Sequence, residues 1–232
     1  MNPEGRPAHV LLLCGSRKPA ADRPEVKSAS RELLRFAAAG VRASGAPSAT
    51  LDLRDLELPW WDGRAVAECD SPDLTRLDAA VRSANVLLAS IPAYWGGMSG
   101  VFKNVIDLLG ADAFRGSQVV PLVVGQDDAS AWLAAGQLRA ICARLEAVVT
   151  PTELVVGNPR EVADPNGLIR DAKRLGVFAG LLAQGRLHPA PATHPAEPAP
   201  ATRTVEPAPA PATRTVEPAP AARTAEPAPV SS

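Results

Sequence analysis

Five short apolar runs, each followed by a stretch with helical spacing, limit the folds open to this chain. The runs are 9–14, 50–53, 86–91, 118–124 and 148–156. Short apolar runs closed by turn residues read as strands buried on both faces. Behind Ser28 and Ser30, the residues Leu33, Leu34, Phe36, Ala37 and Val41 recur at helical intervals. Ser71-Pro72-Asp73 opens a second helix bearing Leu74, Leu77 and Val81. Serine at the N-cap and proline in the first turn are helix-start signals. Residues 99–109, 129–147 and 165–184 read as three more helices.

Strands alternating with helices through short connections build a parallel sheet covered on both faces, with right-handed crossovers. Five strands favour an α/β, flavodoxin-like three-layer sandwich of order 2-1-3-4-5 over a six-stranded dinucleotide fold. Ligands in such sheets sit beyond the carboxyl ends of the strands. The loops to inspect are therefore 15–30, 92–100 and 125–130.

Half of the 24 prolines fall in residues 189–232, a stretch without glycine or aromatic residues. There Thr204-Val205-Glu206-Pro207-Ala208-Pro209 recurs at 215–220 and, with Ala225 for valine, at 224–229. Such a repeat has no apolar mass for a core and favours an extended polyproline-like chain. The expected organisation is a short extension at 1–8, one folded domain at 9–185 and a disordered Pro/Ala-rich tail at 186–232.

A net charge of -1 without a basic run lacks the electrostatic footprint of nucleic-acid binding. No apolar run is long enough to cross a bilayer, and residues 1–8 do not read as a secretory signal. Cys14, Cys69 and Cys142 show neither paired nor metal-ligand spacing; they read as reduced thiols, which places the protein in the cytoplasm. Cys14 and Cys142 fall in a strand and a helix as small buried hydrophobes. His9, His188 and His194 belong to no hydrolytic triad. Lys103 and Asp107, four apart on a helix, read as an ion pair.

Two loops carry the chemistry. After the first strand come Gly15-Ser16-Arg17-Lys18 and then Lys27-Ser28-Ala29-Ser30 at a helix start. Hydroxyls and amide N–H groups at a helix N-terminus attract phosphate, although serines there also serve as plain caps, and the residues leave both readings open. The loop is neither a Walker A nor a GxGxxG turn, so nucleoside-triphosphate hydrolysis is disfavoured. After the third strand comes Pro92-Ala93-Tyr94-Trp95-Gly96-Gly97-Met98-Ser99-Gly100. Its glycines let a flat ring approach the main chain, and Tyr94 and Trp95 offer stacking surface or an interface. Trp60 and Trp61 after the second strand read as a packed loop or subunit contact, or as a wall of the site.

Gly15-Ser16 followed by Pro92-x-Tyr94 and Ser99-Gly100-x-x-Lys103-Asn104-x-x-Asp107 resembles the NADPH-dependent FMN reductase family. Lys27-Ser28-Ala29-Ser30 with residues 121–125 is similar to its alkanesulfonate-monooxygenase flavin-reductase branch. The resemblance spans residues 9–184 and implies FMN at the carboxyl edge of the sheet. Ser16, Arg17, Ser28 and Ser30 would surround the phosphate. Pro92, Ala93, Tyr94, Trp95, Gly96 and Gly97 would lie along the ring, which Gly125, Gln126 and Asp127 would approach from the next loop. It further implies NADPH or NADH as donor and a homodimer or homotetramer with the third helix near its interface.

Two departures from the family pattern stand out. Residues 18–26 lengthen the phosphate loop. Gly125-Gln126-Asp127-Asp128 sets two carboxylates where relatives commonly carry glycines, which disfavours an anionic ring unless the carboxylates face solvent. The leading expectation is an NAD(P)H-dependent flavin reductase in which the cofactor carries the chemistry, so no residue is assigned as catalytic acid or base and none as a metal ligand. Reduced flavin would leave for a flavin-dependent monooxygenase, or reduce a bound quinone, azo, nitro or pathway-intermediate acceptor. The alternative from another class is a non-enzymatic flavodoxin-like binding module.

Overall fold

The computed structural model describes residues 7–18 and 27–187. The expectations for the first six residues, for most of the lengthened loop and for the Pro/Ala-rich tail, with His188 and His194, lie outside them.

The order is β1 (Val10–Cys14), α1 (Ala29–Ala43), β2 (Ser48–Asp52), α2 (Pro72–Ser83), β3 (Val86–Tyr94), β4 (Gly97–Met98), α3 (Gly100–Phe114), β5 (Gln118–Gly125), α4 (Asp128–Arg144), β6 (Val148–Val149), β7 (Leu154–Gly157) and α5 (Pro165–Ala183). The sheet runs β2-β1-β3-β5-β6, with β7 also on β5 and β4 folded back on β3. All pairings except the β3–β4 hairpin are parallel. This is the expected 2-1-3-4-5 order, counted over the principal strands.

Every residue of β1 is buried, and its side chains alternate between two apolar layers. Leu11 and Leu13 join Leu87, Ala89 and Ile91 beneath α2, α3 and α4. Val10, Leu12 and Cys14 join Val86, Leu88, Val120 and Leu122 beneath α1 and α5. Continuous apolar runs arise because both faces of these strands are covered.

Two boundaries differ from expectation, each for a local reason. The fifth strand is split into β6 and β7 across 150–153. Thr150 donates its backbone N–H to the Val119 carbonyl at 2.9 Å, so alternate residues of β5 turn their backbone groups to this rim. Pro121 is the next of them and has no N–H to give. The partner strand breaks there, and the Thr150 hydroxyl donates to Thr152 O at 2.7 Å. The third helix continues to Phe114, but Gly110 at φ 66° interrupts it one residue beyond the expected end.

Helices α1 and α5 approach backbone to backbone. A Cβ added at Gly176 would overlap the Ala37 carbonyl, and one at Gly40 would overlap the Lys173 carbonyl.

Candidate functional site

The loops after β1, β3, β5 and β7 meet at the carboxyl edge of the sheet around a cavity of about 400 Å³, within the usual range for a small-molecule site. At one end stand Ser16, Ser28 and Ser30, all buried. Ser28 is the N-cap of α1: its hydroxyl accepts from Arg31 N and lies 3.0 Å from the Ser30 hydroxyl. Lys18 and Lys27 line the same cavity. Hydroxyls, two ammonium groups and a helix N-terminus suit an anionic oxygen cluster.

The loops are tied to one another. Gly15 N donates to Ser90 O at 2.8 Å, the Ser90 hydroxyl to Ser30 O at 2.8 Å, and the Ser99 hydroxyl to Gly15 O at 2.8 Å. Ser99 thus braces the first loop from the start of α3 and leaves that helix without a side-chain cap.

A second wall is made by Pro92, Ala93 and Tyr94 at the end of β3, side by side with Val124, Gly125 and Gln126 at the end of β5. Burial raises the Tyr94 hydroxyl above its ordinary pKa, partly offset by its bond to Ser16. The chain then turns back at Trp95 and Gly96, with φ of 52° and 79°. Two successive positive φ values are what the tight turn of a two-residue hairpin demands. They project Trp95 outward, 99% exposed. Trp95, Gly96 and Gly97 therefore do not line the cavity; Trp60 and Trp61 stand outside it too, on a loop that Asn104 clamps through Trp61 N and Pro59 O.

Arg17 also lies outside the cavity, its guanidinium donating to the carbonyls of Leu53 and Leu56. The arginine that shapes the first loop is Arg31. It donates to Ser16 O at 2.8 Å and Lys18 O at 3.1 Å, and holds the Asp52 carboxylate through Nε and Nη2. Burial resists the charge on Asp52, but the bonds from Arg31 and from Arg54 N outweigh it and hold the carboxyl below its usual pKa. A depressed folded-state pKa contributes stability above the ordinary aspartate value, and that stability is lost as pH falls through the depressed value. Acid should therefore loosen residues 15–18, and Asp52→Asn should flatten the acid limb of ligand affinity and of melting temperature. Superimposable acid limbs in the two proteins would count against this.

The acidic pair of the third loop is used by the backbone. Asp127 caps α4, accepting from Ser130 N at 2.7 Å, and Asp128 accepts from Gly157 N at 3.1 Å. Asp127 does not line the cavity, whereas Gly125 and Gln126 do.

A fourth wall was not foreseen. Asn158, Pro159, Arg160 and Glu161 follow β7 and close the cavity opposite Lys27, whose carbonyl Arg160 reaches at 3.5 Å. Asn158 takes φ 46° to turn the chain there; asparagine directly after a strand was the available signal. Cys14 and Cys142 are not poised as thiolates: burial pushes Cys14 up to about 11 and Cys142 to about 12. Lys103 and Asp107 form the expected ion pair at 2.6 Å.

Residues 8–161 match the family described as NADPH-dependent FMN reductase. An NADH-dependent FMN reductase, SfnE, of Pseudomonas putida is 32% identical over 84 residues, which are 36% of this chain and 45% of that protein. The chain thus aligns with less than half the length of that curated relative. Among solved structures, a flavone reductase aligns with a TM-score of 0.60 at 13% identity, over 78% of this chain and 65% of that one. An archaeal flavodoxin aligns at 0.52 and 8% identity, over 76% and 99%. At such identities the two structures speak for the fold.

Proposed function

The chain belongs to the NADPH-dependent FMN reductase family, and from that premise we propose that it transfers hydride from NADPH or NADH to FMN seated in the cavity at the sheet edge. The observation that carries this reading is the union, in one cavity, of a hydroxyl-lined helix N-terminus and a slab of main chain at 92–94 and 124–126. The donor set fits the group: Ser16, Ser28 and Ser30 with Lys18 and Lys27 for its phosphate, and side-chain-poor backbone for its ring. Bound FMN supplies the hydride-accepting ring. The protein's part is to hold and orient. Ser28 and Ser30 would hold the phosphate while the N-terminus of α1 opposes its charge, and Pro92 and Gly125 would keep the ring walls free of bulk. Tyr94, its hydroxyl bonded to Ser16, would link the phosphate end of the cavity to the ring wall.

The proposal extends to a homodimer or homotetramer in the cytoplasm; three free cysteines support the location. Among the described residues no helix is long and apolar enough to cross a membrane. A flavin-dependent monooxygenase is the proposed receiver of reduced flavin. A second reading, reduction of a bound quinone, azo or nitro acceptor, draws support from Trp95, exposed next to a cavity-lining tyrosine.

The test is NADPH and NADH oxidation with added FMN, paired with FMN titration of tryptophan fluorescence. Expected are saturable quenching and FMN-dependent turnover above the protein-free rate. Ternary-complex kinetics with easily lost flavin would mark a supplier of reduced flavin, and ping-pong kinetics with retained flavin a bound-acceptor enzyme. Quenching without turnover would leave a flavin-binding module. Neither quenching nor turnover would remove the reading.

A further inference from the structure

Behind the first loop, on the far side of Arg31, a second cavity of about 360 Å³ opens between α1 and β2. One face of α1 presents Arg31, Arg35 and Arg42 to it at intervals of four and seven residues, one and two helical turns, and Arg54 enters from the turn after β2. Asp52 and Asp55 are the carboxylates on its lining. Four guanidiniums against two carboxylates leave two positive charges in excess. Arg31 is committed to Asp52 and the loop carbonyls. Arg54 gives only its Nε to Asp55, and its Nη1 is buried with no hydrogen-bond partner among the described residues. The exposed side chains of Arg35 and Arg42 also have no partner among the described residues. Arg35 and Arg42 thus bring uncommitted guanidinium N–H groups to the groove, and these carry its excess positive charge.

We propose that this groove binds a phosphomonoester. Guanidinium forks match phosphate oxygens in pairs, and a phosphomonoester carries close to two negative charges at neutral pH, which matches the excess. A phosphodiester or a single carboxylate would leave charge uncompensated. The site is separate from the serine-lined cavity, with which it shares no lining residue. Two sources offer the required group: the 2′-phosphate of NADPH, and a free phosphorylated small molecule. The first rests on the reductase reading; the site itself does not.

The experiment compares wild type with the Arg35→Gln/Arg42→Gln double variant, whose changes fall on an exposed helix face and suit a helix. Both are titrated by calorimetry with 2′,5′-ADP, inorganic phosphate and adenosine, in the presence of saturating FMN so that the serine-lined cavity is occupied. Repeating the titrations without FMN keeps the result separate from a failure of the flavin reading. The expected result is saturable binding of 2′,5′-ADP and phosphate but not of adenosine, weakened by about tenfold or more in the double variant. If the KM for NADPH rises with that for NADH unchanged, the group bound is the nucleotide's 2′-phosphate. If phosphate binding falls with both KM values unchanged, the ligand is a separate phosphomonoester. Absence of phosphate binding, or binding untouched by the double variant, overturns the proposal.

Discussion

Ser28→Asp is expected to weaken FMN binding on the order of a hundredfold while leaving the melting temperature at or above that of wild type. Ser28 does two jobs that this substitution separates. As N-cap of α1 it accepts the Arg31 amide hydrogen, and aspartate caps a helix as well as serine with a charge the helix dipole favours. As a buried hydroxyl on the cavity wall it would face the FMN phosphate, and there a carboxylate repels. Two like charges about 4 Å apart near a protein surface cost about 4 kcal/mol, so a roughly hundredfold loss remains after partial screening. Riboflavin, which lacks the phosphate, should lose far less. Equal losses for the two flavins, read by fluorescence quenching, would place the phosphate elsewhere.

Gly176→Val should be the most destabilising single change outside the site. The position lies where α5 crosses α1, and any Cβ there meets the Ala37 carbonyl. Alanine and valine are ordinarily better than or equal to glycine inside a helix, so propensity predicts no harm. Packing decides otherwise, because the obstacle is backbone and cannot swing aside. Separating the two helices would open the layer of Leu33, Leu34, Val41, Leu175 and Leu182. A cost of about 3 kcal/mol or more is expected, a fall of roughly 6–12 °C in melting temperature for a domain of this size. A melting temperature within about 2 °C of wild type would show that α5 slides without loss.

How far the sequence foretold the molecule depended on whether the deciding interaction was local. Strands β1, β3 and β5 were legible because burial on both faces leaves an unmistakable apolar run. Helices α1 and α2 were legible because Ser28, Ser71 and Pro72 are start signals that act on their own turn. Asp127 had the same legibility as a cap, yet the family resemblance pointed to the ring instead. The split of the last strand depended on Pro121, some thirty residues earlier and in a different strand, so no window around 148–156 could show it. The same holds for Arg17 and Arg31. The family resemblance favoured the first, but it is Arg31 that Asp52, brought alongside by β2, holds against the loop. The hairpin strand β4 has two residues, too few for any period. The wall at 158–161 is polar, and its part in the cavity exists only because β7 pairs with β5.

The break in that last strand also bears on how copies of this chain behave when crowded together. An unbroken edge strand exposes a ladder of free N–H and C=O groups to any passing strand, the usual seed of runaway association. On this rim the offer is two residues in β6 and four in β7, interrupted between them, with the Thr150 hydroxyl turned back onto its own backbone. A proline in the neighbouring strand thus acts as a guard placed one strand inward from the border it protects.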